Sequence, residues 1–128
     1  MTTEHLPDDM EICYFKMDSG FTCLQVDGSK IVVTGPEDHI VEPSSEEWMV
    51  FWDKLEEIGV GTWEENYDRC CMADGYSWEI RISYKGLEID STGINHGPTR
   101  VVGGELVSSL DEFLEALEEL SGVDLISI

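Results

Sequence analysis

The stretch SWEIRISYKGLEIDS (77–91) decides the fold. Its alternation is strict. Trp78, Ile80, Ile82 and Tyr84 point one way, while Glu79, Arg81 and Ser83 point the other. Lys85-Gly86 fits a two-residue turn whose second position favours glycine, and Leu87 and Ile89 return on the aromatic face. The pair reads as a hairpin in an antiparallel sheet that is covered on one side and wet on the other.

Upstream, MEICYFKM (10–17) and FTCLQVD (21–27) are rich in aromatic and β-branched residues, and DSG (18–20) between them signals a turn. Asp27-Gly28 turns the chain again into KIVVT (30–34), completing a three-stranded meander. Residues 35–45 read as a loop with two prolines and several acids. A helix follows. Ser44 and Glu47 fit a capping box, and Trp48, Phe51, Trp52 and Leu55 fall on one face. Gly59 is placed to end it. Thr62 with Glu65 suggests a second box, and a short helical turn there would bury Trp63 and Tyr67 on one side.

The second predicted helix, over 109–120, starts at Ser108 or Ser109, with Ser109 and Glu112 as its capping box. Leu110, Phe113, Leu114, Leu117 and Leu120 form its apolar stripe. Gly122 ends it, and 123–128 reads as a last short strand. The expected fold is a single α+β domain over 1–128: an antiparallel sheet, built from the meander and the 77–91 hairpin, packs against two amphipathic helices. Trp48, Phe51 and Trp52 are expected to meet Trp78, Ile80 and Ile82.

Charge narrows the function classes. The 128 residues hold 28 acids against 7 bases, a formal net charge of −21, with 41% hydrophobic residues. The acids run through the whole chain, so this is a folded acidic body and not a tail. It repels phosphate backbones and anionic lipid and attracts basic proteins. Direct nucleic-acid binding is not expected, because that requires Lys and Arg to replace counterions. The bland explanation is solubility alone. No apolar run is long enough for a membrane-spanning helix, and the acidic start MTTEHLPDDM lacks a signal peptide's apolar region. A cytoplasmic location is expected, where Cys13, Cys23, Cys70 and Cys71 default to free thiols.

The motifs of catalysis are missing. There is no CxxC, HExxH, EF-hand spacing or glycine-rich phosphate loop. His5, His39 and His96 have no nucleophile at a readable spacing. Neither a metal nor a cofactor is expected. Carboxylate pairs would be easy to invent among 28 acids, and a pocket that shifts their pKa is not readable from sequence. The surface candidates are therefore acidic: Asp111, Glu112, Glu115, Glu118 and Glu119 on the second helix, with Asp53, Glu56 and Glu57 on the first. An ordinary solvated face explains each helix alone. Lys54, however, is the one base in that helix and 35–68 taken together, and like charges four apart, such as Glu115 and Glu119, repel. A basic partner would relieve that repulsion. Asn95 and His96, in GINHGP (93–98), form a possible loop site, although the stretch also reads as a structural turn.

The spacing Trp63…Tyr67…Asp74-Gly75-x-x-Trp78…Gly93-x-Asn95-x-x-Pro98 resembles a pattern of small uncharacterised bacterial proteins, W…Y…DGxxW followed by a hairpin and GxNxYP. It covers about residues 48–98 and departs at Gly97, where that family carries an aromatic residue. The resemblance implies no catalytic residues. Similar acidic α+β proteins often act as immunity proteins beside toxin genes, which is analogy alone. The expectation is an acidic inhibitor of a basic protein, not an enzyme. The alternatives are a DNA mimic from a phage or mobile element, and an enzyme of unrecognised type. Exposed strand edges could pair two copies, and the sequence does not specify the oligomeric state.

Overall fold

The computed structural model describes residues 6–16, 20–35, 38–68, 75–94 and 97–123. The strands are β1 (Asp9–Lys16), β2 (Gly20–Asp27), β3 (Lys30–Thr34) and β4 (His39–Val41), then β5 (Asn66–Asp68), β6 (Tyr76–Tyr84), β7 (Leu87–Ile94), β8 (Thr99–Val102) and β9 (Glu105–Ser108). Helix α1 (Ser45–Ile58) precedes β5, and α2 (Ser109–Ser121) follows β9. The predicted hairpin is β6–β7. Its turn residues Lys85 and Gly86 both have positive φ, 44° and 86°, as a twist-matched two-residue turn requires.

Seven strands form one sheet in the order β4-β3-β2-β1-β6-β7-β5, and β8–β9 form a separate two-stranded sheet. The meander joins the hairpin through β1 and β6, where Met10 pairs with Ile82, Ile12 with Ile80 and Tyr14 with Trp78. That register puts these apolar residues of both strands on one face. The two helices cover this face. Trp48, Phe51, Trp52 and Leu55 of α1 and Leu110, Phe113, Leu114 and Leu117 of α2 join Met10, Ile12, Leu24, Ile31, Trp78, Ile80 and Ile82 in one buried cluster. The α+β architecture and the expected core are thus as predicted. The helices meet through Phe51 and Phe113, whose ring centroids lie 6.0 Å apart.

Several local expectations are corrected. Thr62 does not start a helical turn. It closes a 3-10 turn (Val60–Thr62), and its hydroxyl donates to the Gly59 carbonyl at 2.7 Å. The sheet then takes the backbone: Thr92 N donates to Glu65 O at 2.9 Å, and Asn66–Asp68 runs parallel to β7. Trp63 and Tyr67 do sit together, with centroids 6.0 and 5.9 Å from Trp78. The loop expected over 35–45 contains β4, which pairs with β3. Residues 99–108, where the sequence pattern predicts no element, form the β8–β9 hairpin around Gly103 and Gly104, both at positive φ.

The N-cap of α2 is Ser108, which accepts from Asp111 N at 3.2 Å, so the Ser109–Glu112 box is not formed. Cys13 and Cys23 are not thiols. They are cross-strand partners with Cα atoms 4.1 Å apart and are joined by a disulfide. The DSG turn lies mostly outside the described residues, with Lys16 and Gly20 paired across it. Apart from Val123, the expected last strand lies outside them too.

Candidate binding surface

Helices α1 and α2 run antiparallel, and a shallow groove follows their seam. At one end Glu46, Glu47 and Val50 of α1 face Ala116, Glu119 and Leu120 of α2 across a depression of about 230 Å³. At the other end, Lys54, Glu57 and Ile58 face Glu112, Glu115, Ala116 and Glu119 across about 150 Å³. Ala116 and Glu119 line both, so the two are continuous. The helical period explains the grouping. Glu112, Glu115 and Glu119 stand three and four residues apart and share one flank of α2.

Of the acids singled out in the sequence, Glu57, Glu112, Glu115 and Glu119 meet in this groove. Asp53, Glu56, Asp111 and Glu118 are exposed but do not line it. Asp111 lies near Tyr14, whose phenol pKa is raised by burial first, then by Tyr76 and by that carboxylate. Glu46 and Glu47 escape the sequence reading, because they look like first-turn and capping residues. Glu47 does cap, accepting from Ser44 N at 2.9 Å, and lines the groove as well.

One acid is already partnered. Arg100 of β8 donates from Nε to Glu112 Oε1 at 2.8 Å and from Nη2 to Oε2 at 2.6 Å. Its Nη1 donates to the Glu57 carbonyl at 3.1 Å, tying the hairpin to the end of α1. Such a two-pronged pair is among the stronger hydrogen-bonded contacts. The guanidinium holds the Glu112 carboxyl below its ordinary pKa, against the opposing effect of burial, and Glu112 in turn raises that of Arg100. The acidic cluster is therefore relieved at Glu112, contrary to the expectation from the helical segments alone. Glu57, Glu115 and Glu119 have no salt bridge among the described residues.

Asn95 and His96 lie outside the described residues, as do His5, Cys70 and Cys71. The rest of GINHGP is structural, and its glycines, Gly93 and Gly97, act without positive φ. Gly93 is a paired strand residue between Tyr67 and Trp78. At Gly97 a Cβ would lie 3.1 Å from two atoms of Leu110, so the missing side chain lets the loop close on α2. Pro98 O accepts from Ser109 N at 2.9 Å. Trp63, Tyr67 and Trp78 of the W…Y…DGxxW pattern thus converge with Gly93 of the GxNxYP stretch as packing.

His39 is exposed on β4. Among the described residues, no group of three His, Cys, Asp or Glu is arranged to hold a metal, and no helix is long and apolar enough to cross a membrane. Family models, curated proteins and solved structures give no match to this chain.

Proposed function

We propose that this protein is a small acidic binding protein that captures a basic protein in the α1–α2 groove, as an immunity protein does its toxin. The observation that carries the reading is the convergence of Glu46, Glu47, Glu57, Glu115 and Glu119 from two helices on one groove. Its bases are Lys54 and Arg100, and Arg100 is held by Glu112. Each unpaired carboxylate raises the energy of the free protein through its neighbours, and a Lys or Arg from outside removes that repulsion. Charge of this size also speeds encounter with a basic partner.

A cytoplasmic location belongs to this proposal. The cytosol keeps most thiols reduced, so binding must not depend on the Cys13–Cys23 bond. That bond lies on the sheet face away from the helices, which supports the requirement.

The test is capture from host lysate, at low and high salt, by the wild type and by a Glu57→Gln, Glu115→Gln, Glu119→Gln variant. A basic protein should be retained at low salt and lost in high salt, and the variant should not retain it. Capture that ignores both salt and the substitutions would end the proposal. Displacement of the captured protein by added duplex DNA would turn the reading to a DNA mimic.

A further inference from the structure

The last turn of α1 has a second flank, and a larger hollow opens there, about 410 Å³ against about 150 Å³ for the adjoining end of the groove. It is apolar in build. Leu55, Val60 and Leu87 line it beside Trp52 and Tyr84, whose rings stack at 4.0 Å and 7°. The local sequence makes it. Gly59 stops the helix in the left-handed conformation and the 3-10 turn leads the chain aside. Gly61 contributes no side chain, and a Cβ there would lie 3.4 Å from Leu87 Cδ1. Its size falls in the range of small-ligand sites, roughly 300–1,000 Å³.

Two charged residues line it. Glu56 belongs to the same helical turn as Glu57 of the groove. Lys85 places its ammonium 5.5 Å from the Tyr84 ring centroid. An α-helix with its side chains is about 10 Å across, so one partner surface can reach both flanks of this turn. Charge gives encounter rate and orientation, whereas affinity concentrates in a few apolar anchors buried in pockets. The groove supplies the first, and this hollow, larger than either end of the groove and walled by two stacked rings, is the better place for the second.

We infer that the Trp52–Tyr84 hollow is the anchor subsite for an aromatic side chain of the basic partner, flanked by Lys or Arg. The inference rests on the groove being a basic partner's site. The ring enters against the stacked pair, where edge or offset contacts add to burial. The neighbouring cation goes toward Glu56 and Glu57, because Lys85 repels it from the other side.

Two fluorescein-labelled peptides test this without altering the protein: six lysines, and the same six with a tryptophan in the middle. Anisotropy titrations at equal salt should give the tryptophan peptide about tenfold tighter binding, a step of about 1.4 kcal/mol. Gly61→Val fills the hollow at a position that is not left-handed, and the ratio of the two affinities should then fall to about one. The triple Gln variant should weaken both peptides. Equal affinities in the wild type, or a ratio that survives Gly61→Val in a folded variant, overturn the anchor and leave the groove standing. Failure of both peptides to bind overturns both readings. Free indole binding as tightly as the tryptophan peptide, at any salt, would make the hollow a small-molecule site. A dimer that Gly61→Val abolishes would give it to a second copy.

Discussion

Among the described residues two arginines meet glutamates, one in the helical layer and one on the open face of the sheet. Arg100 holds Glu112 with two hydrogen bonds of 2.8 and 2.6 Å, and their side chains are 30% and 25% exposed. Arg81 stands between Glu11 at 3.8 Å and Glu79 at 3.5 Å and is 49% exposed. The second has two carboxylates within ion-pair distance against one, and the weaker hold. Water screens it, and Glu11 also accepts from Gln25. A count of acids around a base is therefore a poor guide, and geometry with partial burial is a better one. The same contrast predicts that the helical side carries most of the stability and that the side chains of the open face, its disulfide apart, contribute little.

The most severe way to break that contrast is to empty the core on one side of it. Phe113 is fully buried beneath the groove, and Phe21 on the open face is 55% exposed. Phe113→Ala should cost about 3–5 kcal/mol, and Phe21→Ala no more than about 0.5 kcal/mol, both read from urea unfolding. Comparable losses would refute the layered picture. The disulfide comes next in size and is the main exception on the open face. Its cysteines are 10 residues apart in sequence, and closing a loop of that length is worth roughly 2–3 kcal/mol by limiting the unfolded chain. Reductant, or Cys13→Ser with Cys23→Ser, should lower the unfolding midpoint accordingly while leaving capture of a basic partner unchanged.

A third measurement is the acid limb of stability. Arg100 depresses the folded-state pKa of Glu112. The stabilisation is therefore complete above the unfolded-state value and is lost as pH falls through the folded one, below the ordinary glutamate range. Unfolding midpoints taken from neutral to acid pH should show a limb that Arg100→Ala or Glu112→Gln makes shallower. The smallest expected effect is that of Arg81→Ala, within about 0.5 kcal/mol at neutral pH and with that limb unaltered. A larger acid response in Arg81→Ala than in Arg100→Ala would reverse the comparison.

What was legible in the sequence follows from range. The Ser44–Glu47 box, the Gly59 and Gly122 stops and the alternation over 77–84 are fixed by residues within a few positions of one another, and all are as read. Thr62–Glu65 carries the same local signature and fails, because Ser91 and Thr92, far along the chain, bond the backbone of Glu64 and Glu65. Glu112 matches a capping pattern and is instead taken by Arg100 from a hairpin whose signal, Gly103-Gly104 after Val101-Val102, is short. At the groove, helical spacing places the five acids of α2 outside its apolar stripe but does not separate Glu112, Glu115 and Glu119, which line it, from Asp111 and Glu118, which do not. It could not say that Glu57 faces Glu112, Glu115 and Glu119, since that depends on how the helices cross.

The seven-stranded sheet ends at both sides in a strand of three residues, β4 and β5. Edge strands are where one chain can extend another's sheet, through unpaired backbone groups that do not discriminate between sequences. An edge this short offers only a few such groups. Strand addition onto β4 or β5 has little to pair with, so a partner that meets either of these strands reads its side chains.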